Sequence, residues 1–314
     1  MLKEKINFLK QEVSKVMVGR EKDIELLTIA LLQGGHILLE SVPGTGKTLL
    51  AKTFAKSLDG EFKRIQFTPD VLPTDVTGIQ FFNPKSQEFE LRIGPVKTNI
   101  LLADEINRAT PRTQSSLLEV MEERQVTIDG ETIIIDEPFM VIATQNPVES
   151  QQGTFPLPAA QLDRFLMKIS MSYPTYQEER DILRRFQSNE PLTQVKTILT
   201  REEFVELRKN VKNILVNEDV EKFILLIIRE TRQHPAIEHG ASPRAALALL
   251  KASQGHAFIH GREFVTPDDV KQVAPYVLKH RLYLSIEASL TNTIEDIFEE
   301  IMKEVPAPVE SGVV

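Results

Sequence analysis

The chain has 314 residues, about twice the usual domain size, so two domains are the starting expectation. Hydrophobic residues make up 41% and charged residues 26%, as in a folded globular protein, and there is no cysteine, which excludes disulfides, zinc–thiolate sites, iron–sulfur clusters and thiol nucleophiles and fits a reducing compartment. The 45 acidic and 37 basic side chains leave a formal charge of -8, which speaks against nucleic acid as a partner because phosphate neutralisation needs clustered Lys and Arg.

Residues 1–15 are charged throughout and lack the apolar core of a signal peptide. The most apolar run, Phe223–Ile228, is far shorter than the roughly 20 residues that cross a bilayer. A soluble, cytoplasmic protein without a membrane span is expected.

In chain order, two helical stretches, Leu2–Val16 and Glu21–Leu32, flank Val18-Gly19-Arg20. A short apolar strand, His36–Glu40, then ends in Ser41-Val42-Pro43-Gly44-Thr45-Gly46-Lys47-Thr48, followed by an amphipathic helix over Thr48–Leu58. Further strands are predicted at Phe62–Phe67, at Ile100–Ala103 running into Asp104-Glu105, and at Phe139–Thr144. Short apolar strands alternating with helices predict an α/β domain, a buried parallel sheet with helices on both faces.

Two insertions interrupt that rhythm. Ile79–Ile93 reads as a hairpin carrying Phe81 and Phe82, and Gln125–Ile135 as a second one turning at Asp129-Gly130. Adjacent strand residues face opposite ways, so one of Phe81 and Phe82 could project toward a partner; the simpler reading packs both beneath the hairpin. Between the insertions, Thr110 caps a helix with Pro111 at its first position. The acidic residues Glu119, Glu122 and Glu123 of that helix read as a solvated surface.

From about Ser172 helix starts repeat instead of strands. Thr175-x-x-Glu178, Thr200-x-x-Glu203 and Thr266-x-x-Asp269 have capping-box form, and Ser242-Pro243 adds another cap. The division expected is an α/β domain over 1–171 and an all-helical domain over 172–314, with 306–314 frayed.

The loop from Ser41 to Thr48 carries the chemistry. A triphosphate needs backbone N–H groups at short range and a helix N-terminus aimed at the anion. Gly44 and Gly46 permit the first, Lys47 reaches the β- and γ-phosphates, and the Thr48 hydroxyl suits magnesium. The candidate nucleotide-binding residues of the loop are Pro43, Gly44, Thr45, Gly46, Lys47, Thr48 and Leu49. Such loops normally open with glycine, where this one has Ser41. Asp104 and Glu105, at a strand end, supply a carboxylate to hold magnesium through water and a carboxylate to polarise the attacking water. ATP and Mg2+ are the expected cofactors.

These residues together resemble the AAA+ ATPases, and Gly94-Pro95-Val96 followed by Leu101–Arg112 resembles the MoxR family in particular. Further matching segments are Val18–Glu21, Phe67–Asp70, Ala143–Pro147, Gln161–Phe165 and Gly240–Ala245, in the family's order and over nearly the whole chain. The resemblance implies a P-loop NTPase of AAA+ type with hairpin insertions and a helical lid. It also implies that Asn146 is the sensor-1 residue, Arg164 the arginine finger reaching a neighbouring subunit's ATP, Arg244 the sensor-2 residue, and Val18 and Gly19 part of the adenine pocket. Arg108 is a further candidate for an intersubunit site.

Independently of the family, Ser242 as cap places Arg244 in a first helical turn, where the dipole disfavours a cation unless an anion lies near. On this reading the lid brings Arg244 to one side of ATP and the P-loop to the other. The family's rings imply a hexamer, and its activity implies chaperone-like remodelling or maturation of a protein partner, often one with a von Willebrand factor A domain. A nucleic-acid remodelling motor is the alternative, disfavoured by the net charge and by Asp129 and Glu131 at a hairpin tip; a small-molecule P-loop kinase is a more distant one. His256 and His260 have the spacing of a metal pair, but no third ligand is evident in the sequence, which leaves magnesium as the only metal expected.

Overall fold

A computed structural model describes residues 2–146, 153–188 and 190–308. Two helices, α1 (Leu2–Ser14) and α2 (Glu21–Leu32), precede β1 (Ile37–Ser41) and α3 (Lys47–Ser57). The chain continues through β2 (Phe62–Gln66), a short α4 (Pro73–Thr77), the hairpin β3 (Gly78–Asn83) and β4 (Glu88–Ile93), and β5 (Ile100–Asp104). Next come α5 (Pro111–Glu123), the hairpin β6 (Gln125–Ile128) and β7 (Glu131–Ile134), β8 (Met140–Gln145), a single turn α6 (Ala159–Leu162) and β9 (Met167–Met171). The remainder is mainly helical: α7 (Tyr176–Ser188), α8 (Arg201–Lys212), α9 (Glu218–Gln233), α10 (Pro243–Ile259), α11 (Pro267–Leu278), α12 (Ile286–Ser289) and α13 (Ile294–Glu304).

The main sheet has five strands in the order β2-β5-β8-β1-β9, all pairs parallel. Successive residues point to opposite faces, and both faces are covered. Ile37, Leu39, Ile100, Leu102, Met140 and Ile142 join the layer built with α1, α2, α3 and the C-terminal helices. Leu38, Leu101, Ala103, Val141 and Ala143 join the other layer, with α5 and the β6–β7 hairpin. The strand β9 goes beyond the sequence reading. Its signal is the alternation of buried Met167, Ile169 and Met171 with Lys168 and Ser170.

The capping boxes at Thr200 and Thr266 form, and Thr110 and Ser242 cap α5 and α10. Asp129 and Gly130 both take positive φ, 47° and 88°, as a primed two-residue turn requires. The helical part also contains a two-stranded ribbon, β10 (Ile237–His239) with β11 (Tyr283–Leu284), too short to register as strands in the sequence.

The expectation that Phe81 and Phe82 pack beneath their hairpin is corrected. The β3–β4 ribbon is a separate two-stranded sheet without a core of its own, and Phe81, Phe82 and Phe89 are 41%, 51% and 68% exposed. Phe82 meets Phe89 edge-on across the ladder at 5.5 Å between ring centres. Of the terminal segment 306–314, residues 309–314 lie outside the described residues, as does Pro147 of the Ala143–Pro147 segment.

Candidate active site

The strand order places three functional segments side by side. β8 lies between β1 and β5, so the loop after β1, Asn146 after β8 and Asp104-Glu105 at the end of β5 share one edge of the sheet. That edge, at the carboxyl ends of parallel strands, is where open α/β sheets bind ligands.

Gly44 and Gly46 have φ of 84° and 87°, a backbone that L side chains rarely adopt and that turns the loop into the first turn of α3. A Cβ on Gly44 would meet nothing within 4 Å, so the loop faces open space there. Thr45 Oγ1 donates to Val42 O at 3.1 Å and braces the loop from inside. Gly46 caps α3 without a side-chain hydrogen bond, which leaves the amides of its first turn directed at whatever binds. Ser41 is a buried β1 residue paired with Met171, not a positive-φ turn residue, so this position needs no glycine.

Lys47 Nζ stands 4.0 Å from Asp104 Oδ1. Asp104 is 6% exposed; its Oδ1 accepts from Thr144 Oγ1 at 2.6 Å and its Oδ2 from Arg64 Nη2 at 2.7 Å. Both oxygens are thus aligned by strand neighbours, an arrangement suited to holding a hydrated cation. Thr144 also accepts the Glu105 N–H at 2.9 Å. Glu105 sits in the left-handed region, φ 57° and ψ 49°, a conformation that costs about 1–3 kcal/mol in a non-glycine residue and concentrates at functional sites. Its Oε2 accepts from Gln66 Nε2 at 2.8 Å and pairs with Arg108 Nε at 3.0 Å. Arg64, Gln66 and Thr144 were missed by sequence reasoning; their only signal is register, since each lies on a strand that pairs directly with β5.

The segment at Val18 and Gly19 adjoins the loop. Met17 Cε lies 3.3 Å from where a Gly46 Cβ would stand, and a Cβ on Gly19 would collide with the Glu178 side chain at the start of α7. Arg20 Nη2 donates to Ser172 O at 2.6 Å, and Arg185 of α7 donates to Ser14 O at 2.6 Å and Lys15 O at 2.7 Å. The connection after β9 is therefore tied to the segment beside the P-loop.

Arg164 and Arg244 lie elsewhere, and the expectation that the lid closes Arg244 over this chain's own P-loop is not met. Both arginines pair with Glu122, near the C-terminal end of α5: Arg164 Nη1 with Oε2 at 2.8 Å, and Arg244 Nη2 with Oε1. Arg164 also donates to Leu118 O at 3.0 Å. Glu122 is thus a shared anion, not merely a solvated face. Asp163 binds Arg281 Nε at 2.6 Å and the Ser242 hydroxyl at 2.9 Å, which pins the start of α10 to the turn before β9.

Leu166 N donates to His36 O, so this cluster stands at the N-terminal ends of β1 and β9. The loop at Ser41 is a full strand away, roughly 16 Å at 3.3 Å per residue. A cleft of about 320 Å³ opens there between Arg124, Arg164, Arg244, Lys251 and Arg281, with Glu122 and Asp163 its acidic members.

A phosphate loop on β1, an acidic pair one strand beyond β8 and a following helical module define a P-loop ATPase of the AAA+ class. Residues 36–167 match the family model described as ATPase family associated with various cellular activities (AAA), and residues 229–301 match an AAA lid domain. Over 306 residues the chain is 48% identical to the uncharacterized protein YeaC of Bacillus subtilis, covering 97% of this chain and 95% of that one. It is 42% identical to Chaperone MoxR1 of Mycobacterium tuberculosis over 96% of this chain and 82% of the relative. Protein MoxR of Methylorubrum extorquens is 30% identical, with 95% and 94% covered. A crystal structure of a Cytophaga hutchinsonii protein assigned as an ATPase superposes with a TM-score of 0.92 at 41% identity, over 98% of this chain and 96% of that chain. The chain belongs to the MoxR family of AAA+ ATPases. Among the described residues no helix is long and apolar enough to cross a membrane.

Proposed function

We propose that this protein hydrolyses ATP to ADP and phosphate in a head-to-tail ring, a hexamer by family resemblance, and uses the cycle to remodel or mature a protein partner complex in the cytoplasm. The observation that carries this reading is the separation of two half-sites at opposite ends of β1. The P-loop, Asp104, Glu105 and Asn146 lie at one end, and Arg164 and Arg244 at the other. Neither half suffices for phosphoryl transfer, and a heterologous contact that closes into a ring brings the arginine end of one copy to the P-loop end of the next. Arg244 as well as Arg164 then acts in trans. The functional division is 1–171 for nucleotide and 172–314 for the lid.

Pro43 to Leu49 hold the phosphates, with Lys47 on the β- and γ-phosphates and Val18 and Gly19 beside the adenine. Thr48 and Asp104 would hold Mg2+, which would supply charge neutralisation on the phosphates. Hard oxygen donors of this kind suit that ion. Glu105 accepts the proton of the attacking water, and Asn146 orients that water. Arg164 and Arg244 from the adjacent copy stabilise charge on the transferring group.

The name Chaperone MoxR1 carried by a relative supports a protein client, as do the acidic tip at Asp129 and Glu131 and the exposed phenylalanines of the β3–β4 hairpin. A partner with a von Willebrand factor A domain is the candidate class.

Phosphate release by Glu105→Gln and Arg164→Ala, separately and mixed, tests the reading. Each variant is expected to be nearly inactive and the mixture to recover turnover, because one supplies the arginine and the other the carboxylate. Mixed assemblies without recovery would exclude action in trans. Strong stimulation by DNA would favour a nucleic-acid motor, and acceptor-dependent turnover without free phosphate a kinase.

A further inference from the structure

The fold supplies the third ligand that the sequence lacked for the histidine pair. His256 lies in the last turn of α10 and His260 caps that helix. α2 packs against them and offers Glu25, whose Oε1 is 3.8 Å from His256 Nε2 and whose Oε2 is 3.6 Å from His260 Nε2. One ligand atom from each of the three residues lies within 4.8 Å of the others. Nitrogen and oxygen ligands at 2.0–2.2 Å around a tetrahedral zinc stand about 3.4 Å apart, so the Glu25–histidine distances of 3.6 and 3.8 Å need little contraction and no pair needs more than about 1.4 Å.

A fourth residue fixes the chemistry of the first imidazole. Asp269, fully buried at the start of α11, lies 2.6 Å from His256 Nδ1, and its other oxygen accepts from Thr266 N and Oγ1 at 2.8 Å. A carboxylate only accepts, so Nδ1 carries the hydrogen. In the neutral ring the Nε2 lone pair is then directed toward Glu25. A divalent cation between that imidazole lone pair and the facing carboxylate would be ligated by both, and a buried carboxylate behind a histidine is the usual outer shell of a histidine-bound metal.

Other cations share the neighbourhood: Lys10 and Lys22 each reach Glu25 at 2.9 Å, and Arg262 pairs with Asp269. Lys10 and Lys22 are 22% and 40% exposed and can turn to solvent when a divalent ion takes the inner lone pairs.

We propose that Glu25, His256 and His260 form a zinc site, with Asp269 orienting His256, that fastens α2 to α10 of the lid domain. Two imidazoles and one carboxylate match the preference of Zn2+, and water completes a tetrahedron. The site is separate from the magnesium expected beside the P-loop.

The test uses the full chain without a histidine tag, stripped with chelator and titrated calorimetrically with Zn2+, with Co2+ as an optical probe of coordination. One Zn2+ per chain, a four-coordinate Co2+ spectrum and a raised Tm are expected. His260→Ala should lose at least tenfold in affinity while keeping the parent Tm in chelator. Asp269→Asn, which preserves the cap, should lose 10–100-fold. His239→Ala, an exposed histidine outside the group, should bind as the parent does. Absence of stoichiometric binding, or affinity unchanged in His260→Ala, overturns the proposal; zinc binding lost only in Lys47→Ala places the ion at the P-loop and overturns it equally.

Discussion

At the C-terminal end of β1 the chemistry-bearing groups hold one another through contacts between adjacent strand ends. Asp104 and Asn146 are 6% and 4% exposed, and Thr144 links Asp104 to the Glu105 backbone. At the N-terminal end, charges from α5, the turn before β9 and α10 converge from distant parts of the chain. Arg164 and Arg244 there are 34% and 48% exposed and share one glutamate. The first end is buried and joined by hydrogen bonds, the kind of organisation in advance that charge stabilisation in a transition state requires. Exposed pairs like those at the second end are worth only about 0–1 kcal/mol, so under the proposed function they can be exchanged for a phosphate.

The largest effect expected from breaking this contrast is at Arg164. Arg164→Ala should lower kcat about 10³-fold, the scale of an arginine finger, while ATP affinity of the isolated chain stays unchanged. A parallel loss of ATP affinity in the monomer would show that Arg164 reaches its own nucleotide.

Stability should separate the two acidic residues of the arginine end. Asp163→Ala leaves Arg281, 7% exposed, without its carboxylate and is expected to cost about 3–5 kcal/mol in urea unfolding. Glu122→Gln, at an exposed pair, should cost less than about 1 kcal/mol. Equal losses would mean that Glu122 is a structural anchor after all.

The smallest effect sharpens how the ends are joined. His36 accepts the Val141 N–H at Nδ1, 2.9 Å, and donates from Nε2 to Met121 O at 3.0 Å, so it serves both partners only when neutral. Burial, helped by the charge of Arg124, pushes its pKa down to about 3. The unfolded histidine protonates near pH 6.5, so this contribution is complete above that value and is lost as pH falls toward 3. His36→Gln should therefore flatten the decline of the urea midpoint below pH 6.5; an unchanged slope would assign the acid sensitivity to other groups.

What was legible in the sequence was local. The phosphate loop, the acidic pair, four of the five sheet strands and the helix caps depend on neighbours a few residues apart, and short-range patterns encode them. What the sequence hid depends on approach between distant segments. Glu122 looked like any helix-surface acid, because nothing near it in the chain announces Arg164 or Arg244. A cap fixes Arg244's place in a helix but not where that helix docks, so its distance from the P-loop is not encoded locally. Glu25 escaped notice as a neighbour of His256 for the same reason. A hairpin pattern does not reveal whether a layer covers it, which is why the exposure of Phe81 and Phe82 is not legible in the sequence.

The five residues of β1 give the molecule a direction, from arginines to phosphate loop. In the head-to-tail ring proposed above, each copy would give arginines to one neighbour and receive them from the other. Under that arrangement, news of a spent nucleotide travels around the circle in one sense only.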